Sequence, residues 1–385
     1  MTSPTAARRH PIAPDAAVVH VCEALGGGLL EVVPPLANHS AGRGIPTIVL
    51  HGRRPETPAD VAAAFDPRID VRAVPGWGER SPVRALGATL HAGRALWRTM
   101  SRYESGVVHL HSSFAGVAGR LVPPRRGWHF FYSPQAYGFL NGSLPRPVRA
   151  LSWATEWLLG RRGTTMAVSE FEGGVAARLV GRKRVVIVRN GVDEKEVPQP
   201  PADAPFTVLV LGRASFQKRP ELVVETMREL GAGWSGRILW VGDGVAREQL
   251  TAAGIEVTGW QTPAAVREHV AHAHAVLHLA AFEGFPLAVL EAMAWARPVV
   301  ASDVPPVREA LDDAGFLVSD AAGAAAALRA LRDDASLRHR LARLARERVQ
   351  RLFTREQMVR AAFAAYDLGP PREDLLVRRG FPKPV

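Results

Sequence analysis

The chain has 385 residues, 47% of them apolar, and carries 48 Lys+Arg against 37 Asp+Glu for a formal net charge of +11. Such a length and apolar share supply core for about two globular domains, while no run reaches the ~18 uninterrupted apolar residues of a spanning helix. The opening stretch, with Arg8, Arg9 and His10 and a later apolar run broken by His20 and Glu23, lacks a signal peptide's apolar segment, so a cytoplasmic protein is expected.

Residues 1–15 read as an irregular lead-in, after which Val18-Val19-His20-Val21-Cys22 predicts a first strand ending at Gly26-Gly27-Gly28. Cys22, the single cysteine, falls in this apolar run and reads as a small buried hydrophobe. The glycine loop lacks the G-x-G-x-x-G spacing of a dinucleotide fingerprint, so it implies only backbone close to a ligand or tightly turned. A helix follows and is expected to break at Pro34-Pro35. Further strands read at residues 45–51, 69–74, 107–110, 129–132, 165–168 and 185–188. Helical patterns separate several of them, which predicts a parallel sheet covered on both faces.

Residues 194–205 hold Pro198, Pro200, Pro201 and Pro205 without apolar periodicity and read as an interdomain linker. Strands at 206–211, 237–241, 256–258, 276–279 and 298–301 then restart the pattern, and helices at 321–332, 336–352 and 355–366 close it. The expected fold is α/β: two doubly wound, Rossmann-like domains facing each other across a cleft. Residues 1–195 and 206–353 form the domains, 196–205 the linker, and 354–385 a last helix, placed to return to the first domain, with a tail.

Ligands of doubly wound sheets bind outside the strands' carboxyl ends. The loops expected at that edge are Gly26–Gly28, His111-Ser112-Ser113, Asn190-Gly191-Val192-Asp193, Gly212-Arg213 with Lys218, Gly242-Asp243-Gly244 and Glu283-Gly284-Phe285. The segment from Ala280 to Met293 reads as strand end, tight turn and helix, with Pro286 suited to the first helical position. The helix N-terminus favours an anion, and Glu283 and Glu291 can grip the two ends of an extended ligand. Arg213 and Lys218 follow a strand directly, where two cations neutralise a diphosphate and the charge it gains on leaving. Lysine is an uncommon choice in this chain, occurring only at 183, 195, 218 and 383. His111 ends a buried-looking strand and can hydrogen-bond at the cleft. His269, His272, His274 and His278 cluster in sequence without a third-ligand motif or nearby cysteine, so a metal site is not expected there. There is likewise no G-x-S-x-G elbow, no Walker G-K pair and no D-x-D carboxylate pair.

In order along the chain these loops resemble the family 4 retaining glycosyltransferases of GT-B architecture, from about Val18 to Tyr366. Gly212-Arg213…Lys218-Arg219-Pro220 is similar to the family's diphosphate loop, Val241-Gly242-Asp243-Gly244 to its next glycine turn, and Glu283 to Glu291 to its E-x7-E signature. Pro298-Val299-Val300-Ala301-Ser302-Asp303 continues the pattern. The resemblance implies that Arg213 and Lys218 hold the diphosphate of a nucleotide sugar, that Glu291 binds its ribose and that Glu283 binds the sugar hydroxyls. It further implies that the backbone of Phe285, Pro286 and Leu287 meets the sugar and phosphate, that His111 sits over the reacting sugar, that Gly27 and Gly28 approach the diphosphate, and that the base lies near Val257 and Thr258. No metal and no cofactor are implied; the nucleotide diphosphate sugar, with UDP or GDP as carrier, is a co-substrate.

His111-Ser112-Ser113-Phe114-Ala115-Gly116 and Tyr132-Ser133-Pro134-Gln135-Ala136-Tyr137-Gly138-Phe139 resemble the bacterial members that build surface polysaccharide on polyprenyl-diphosphate lipid. Phe114 and Gln135 depart from that pattern, standing where lysine and histidine are usual, and Pro305-Pro306 replaces a glycine pair. The expected activity is retaining transfer to a glycan or polyprenyl-diphosphate-linked acceptor. The alternatives are transfer to a soluble small molecule, or a basic GT-B binding protein without turnover.

The charge is uneven: residues 1–195 hold 25 basic against 14 acidic residues, and residues 196–385 hold 23 against 23. A field confined to one half points to an anionic partner met by that half. The expectation is an anionic membrane surface, not nucleic acid, met by Arg94, Arg98, Arg102, Arg149, Arg161, Arg162, Trp97 and Trp153.

Overall fold

Short runs of β-branched and aliphatic residues, most of them buried on both faces, form two parallel sheets in a computed structural model that describes residues 16–78, 82–194, 196, 198, 200 and 204–368. The first sheet comprises β1 (Ala16–Cys22), β2 (Thr47–His51), β3 (Asp70–Ala73), β4 (Ser105–His111), β5 (Trp128–Ser133), β6 (Thr164–Ala167) and β7 (Val185–Ile187). Its order is β3-β2-β1-β4-β5-β6-β7. The second comprises β8 (Phe206–Leu211), β9 (Gly236–Val241), β10 (Glu256–Val257), β11 (Ala275–His278), β12 (Val299–Ser302) and β13 (Phe316–Val318), in the order β10-β9-β8-β11-β12-β13. The order reverses between β1 and β4 in one sheet and between β8 and β11 in the other. Helices leaving to opposite faces open a crevice at such a switch point, beyond the strands' carboxyl ends.

The helices are α1 (Leu29–Gly42), α2 (Pro82–Met100), α3 (Ser113–Arg120), α4 (Arg146–Leu159), α5 (Glu170–Val180), α6 (Pro220–Leu230), α7 (Arg247–Ala252), α8 (Pro263–Ala271), α9 (Leu287–Ala294), α10 (Pro305–Leu311), α11 (Ala321–Asp333), α12 (Ala335–Leu352) and α13 (Arg355–Leu368). The chain divides into two compact units. One holds the described residues up to Tyr137, Ala150–Val188 and those from Met358 on; the other holds Gly138–Arg149 and Arg189–Gln357. Cys22, Leu25, Val33, Val49 and Phe65 lie in the core of the first. Val208, Val210, Leu222, Trp240, Leu277 and Leu328 lie in that of the second.

Two local expectations are corrected, and one strand is new. The break at Pro34-Pro35 does not occur, because α1 runs through both prolines with Val32, Val33, Pro34, Leu36 and Ala37 buried. An internal proline costs about 3 kcal/mol, and burial of this continuous apolar face offsets it. Pro286 is the N-cap of α9, with an extended ψ of 92°, and the helix begins one residue later. The strand β13 was not anticipated: three residues between Gly315 and Ser319 are too short for any period to show. Part of the proposed linker, residues 195, 197, 199 and 201–203, and the tail from 369 on lie outside the described residues.

Candidate active site

In the second unit the site is assembled from loops at the carboxyl ends of β8, β9 and β11. Gly212, with φ 122°, follows β8, and Gly242, with φ 140°, follows β9. A Cβ on Gly242 would stand 2.2 Å from the Gly212 carbonyl oxygen, and one on Gly244 2.4 Å from that of Ala214. Only glycine permits this backbone contact. Ala214 N–H donates to Asp243 O at 2.9 Å, and Trp240 Nε1 donates to Gly212 O at 2.8 Å, so the loop bearing the half-buried Arg213 is pinned. A 3-10 turn over Phe216–Lys218 and a left-handed Arg219 (φ 44°) then start α6 at Pro220.

This turn brings Lys218 to Glu283, 65 positions along the chain: Nζ donates to Oε1 at 2.7 Å. The Glu283 side chain is 9% exposed. His278, at the end of β11, places Nε2 3.2 Å from the same oxygen, in contact with it but out of line for a hydrogen bond. Gln217 Nε2 reaches Glu283 Oε2 at 3.4 Å and Phe282 O at 3.3 Å, and its own carbonyl accepts from Ala281 N–H. Burial alone would raise the Glu283 carboxyl, but the Lys218 charge and the nearby His278 hold it down at about 2. His278 is pushed below its ordinary value by burial and by Lys218. At neutral pH Glu283 is therefore a carboxylate and His278 a neutral imidazole.

Glu283, Phe285 and Pro286 are buried, while Leu287 and Glu291 are half-buried on α9, whose first turn has no side-chain cap. Val257 is buried at the end of β10, and Thr258 N–H is tied to Trp240 O. Arg247, paired with Asp243 at 2.9 Å, also reaches Val257 O at 3.3 Å, so the expected base-side and diphosphate-side turns are joined. Asn190 Nδ2 donates to Phe285 O at 3.4 Å. His272 and His274 engage Glu268 O and Thr207 N–H, while His278 turns to Glu283; these three have separate partners.

In the first unit the switch-point strands end in Gly26–Gly28 and His111. Gly27, with φ 54°, and Gly28 are exposed. His111 is fully buried, its Nε2 3.1 Å from His20 Nδ1. Three residues without glycine's freedom have positive φ just past β4 and β5: Ser112 (77°), Gln135 (57°) and Ala136 (83°). Strain of this kind clusters at functional sites.

Buried Glu172 holds the Gln135-Ala136 bend: Ala136 N–H donates to Oε1 at 2.8 Å and Val168 N–H to Oε2 at 2.9 Å. Burial pushes its carboxyl up to about 7 against these two bonds. A carboxyl raised on folding stabilises most below its unfolded value, near 4.5, and loses that contribution as pH rises through about 7. The thermal stability of the first unit is therefore expected to fall between pH 5 and pH 8, and Glu172→Gln should flatten that slope. Equal slopes in both proteins would show that Glu172 does not titrate there.

His20, Gln217 and His278 were not singled out as site residues, since only the fold brings them to His111 and Glu283. Glu172 had a local signal: Ser169 with Glu172 is an S-x-x-E capping box, and Ser169 Oγ does accept from Glu172 N–H.

Two doubly wound sheets, each with glycine or charged loops at its switch point, define an α/β protein of the two-Rossmann-unit class. Residues 26–196 match the family described as Glycosyltransferase Family 4, and residues 205–334 match Glycosyl transferases group 1. A lipopolysaccharide 1,6-galactosyltransferase of Salmonella typhimurium is 33% identical over 143 residues, which are 34% of this chain and 39% of that one. A glycogen synthase of Mycobacterium tuberculosis is 26% identical over 309 residues, 73% of this chain and 74% of that one. Among solved structures, sucrose-phosphate synthase of Thermosynechococcus elongatus superposes with a TM-score of 0.78 at 18% identity, covering 91% of this chain and 98% of that one. HepE of Anabaena, in complex with UDP and glucose, gives 0.72 at 16%, covering 90% and 98%. The chain belongs to the family 4 glycosyltransferases of GT-B fold.

Proposed function

We propose that the protein is a metal-independent, retaining transferase that moves a sugar from a nucleotide diphosphate sugar to a glycan or polyprenyl-diphosphate-linked acceptor of the bacterial envelope. The observation that carries this reading is the half-buried Lys218 paired with buried Glu283, in the loop that also bears Arg213 and just before α9. A cation that already neutralises Glu283 can turn to a diphosphate oxygen, releasing the carboxylate to orient sugar hydroxyls. Arg213, Lys218 and the α9 N–H groups then stabilise the charge growing on the leaving diphosphate. Glu291 takes the ribose, and Val257 with Thr258 takes the base. Phe285, Pro286 and Leu287 supply backbone to the sugar and phosphate, and Gly27 and Gly28 approach the diphosphate. His111 serves the reacting sugar. On the same face the acceptor oxygen attacks C1 while the C1–phosphate bond breaks, and a departing phosphate oxygen takes the acceptor's proton. The solved relative with UDP and glucose supports a uridine carrier.

With two cations on the diphosphate, transfer is expected to continue in excess EDTA and to keep the anomeric configuration. Product NMR with a panel of UDP- and GDP-sugars tests both. An inverted product, or activity lost on chelation and restored by Mn²⁺, would overturn the mechanism; no response to any nucleotide sugar would favour a binding protein.

The lipid-linked acceptor is supported by the outer face of α4. Leu151 and Leu158 are each 68% exposed and Trp153 and Trp157 nearly half exposed, while Glu156 and Leu159 face inward. On α2, Leu90 and Trp97 are exposed beside Arg94 and Arg98. Tryptophan and arginine around exposed leucine suit an anionic bilayer interface, and among the described residues no helix is long and apolar enough to cross a membrane. Co-sedimentation with anionic but not neutral liposomes is expected, weakened by salt and by Arg94/Arg98/Arg102→Glu. Equal recovery in the supernatant with both lipids would rule docking out, leaving a soluble acidic acceptor.

A further inference from the structure

β1 and β4 are neighbouring parallel strands whose register sets His20 beside His109 and Cys22 beside His111. Because side chains alternate along a strand, His20, His109 and His111 share one face of the sheet. All three are at most 1% exposed. The rings of His109 and His111 have centroids 3.9 Å apart and those of His20 and His111 5.4 Å. Burial lowers all three below the ordinary imidazole value, so each is neutral at pH 7.

Hydrogen bonding fixes the protons of His109. Ser133 Oγ donates to Met166 O at 2.9 Å, so it accepts from His109 Nε2, also at 2.9 Å. Nε2 therefore carries the proton, and Nδ1 accepts from the Tyr366 hydroxyl at 2.6 Å. Both nitrogens of His109 are occupied. His20 and His111 share a single hydrogen bond, at 3.1 Å between His20 Nδ1 and His111 Nε2. Each then keeps one buried nitrogen without a partner among the described residues, His20 Nε2 and His111 Nδ1.

Two proton arrangements satisfy that bond. If His111 donates, His20 is left with a permanently buried, unpaired N–H, and His111 offers a lone pair. If His20 donates, its own leftover is a lone pair, and His111 offers Nδ1–H. Both arrangements leave one buried N–H unpaired, which is costly; only the one on His111, the last residue of β4, can find an acceptor in a bound ligand, which favours the second arrangement. The remaining N–H of His111 then waits for an oxygen acceptor.

We propose that His20 is a positioning residue: by donating from Nδ1 it holds the His111 ring and fixes the tautomer in which His111 Nδ1–H donates to an oxygen of the nucleotide sugar. The inference rests on the reading of His111 as a sugar-facing group. It adds a residue from the strand before the glycine loop to the donor machinery, and it makes His111 a hydrogen-bond donor and not a base.

The test pairs kinetics with long-range ¹H–¹⁵N correlation of ¹⁵N-histidine-labelled protein, the His111 signals being assigned by their loss in His111→Ala. Wild-type His111 should carry its proton on Nδ1. His20→Ala should mix the tautomers and lower kcat about tenfold or more, with KM for the nucleotide sugar shifted far less. His20→Asn, whose amide nitrogen replaces Nδ1 as a donor, should restore both the tautomer and most of the rate. A purely structural role would lower Tm in His20→Ala without moving the tautomer, and that outcome overturns the proposal. So does parental kcat in His20→Ala. If His111→Ala is fully active while Lys218→Ala is dead, the donor site stands and the His20 inference falls. Tight stoichiometric Zn²⁺ binding lost in His20→Ala would also overturn it, by making the three histidines a metal site.

Discussion

Lys218→Ala is expected to cut kcat/KM by about a hundredfold or more, and Glu283→Gln by a similar factor, with circular dichroism unchanged. On the proposed mechanism the Glu283 carboxylate and the donor's diphosphate compete for Lys218. Its loss therefore removes leaving-group stabilisation and leaves Glu283 buried without its cation. Burial then dominates the carboxyl and raises it from about 2. In the parent protein Glu283, lowered on folding, stabilises above about pH 4.5 and loses that contribution as pH falls toward 2. The variant should accordingly lose its acid resistance earlier on titration from neutral pH. Near-parental turnover in folded Lys218→Ala would show that the diphosphate lies elsewhere.

The largest stability effect is expected at Glu156 in the first unit. Arg120 Nη2 donates to Glu156 Oε2 at 2.8 Å with both side chains under 5% exposed, and Tyr132 Oη donates to Oε1 at 2.8 Å. Arg120 also donates from Nε to Gly116 O and lies 4.0 Å over the Tyr132 ring. Glu156→Ala strands a guanidinium and a phenol in the core, which costs about 3–5 kcal/mol. Glu156→Leu combined with Arg120→Met removes both charges and should recover much of that loss. Urea unfolding of the three proteins checks the order. A single variant as stable as the parent would mean that water reaches Arg120.

The strands were legible because parallel strands buried on both faces are continuous apolar runs; the run at β8, Phe206–Leu211, was bounded to the residue. The fold class and the switch-point loops follow from strands alternating with helices. Pro34 and Pro35 misled because a local breaking rule was outweighed by burial that only the packed sheet provides. The candidate site was legible in residue type more than in pairing. Arg213, Lys218, Glu283 and Glu291 stand out as charges after strands or on a helix, yet nothing local says that Lys218 meets Glu283 across 65 positions. His20 was hidden for the same reason, since only the register of β1 against β4 brings it to His111.

The way the first unit is composed has a consequence for synthesis on the ribosome. Most of α13 belongs to it, and Tyr366 supplies the hydroxyl that holds His109, while the second unit occupies the interval through Gln357. Domains of nascent chains ordinarily fold as units in order of emergence, N-terminal first. Here that order is inverted: residues 189–357 can complete their sheet while the first unit still awaits a helix made after them. Until then the histidine floor beneath His111 lacks its tyrosine, so the first unit matures last although it is made first.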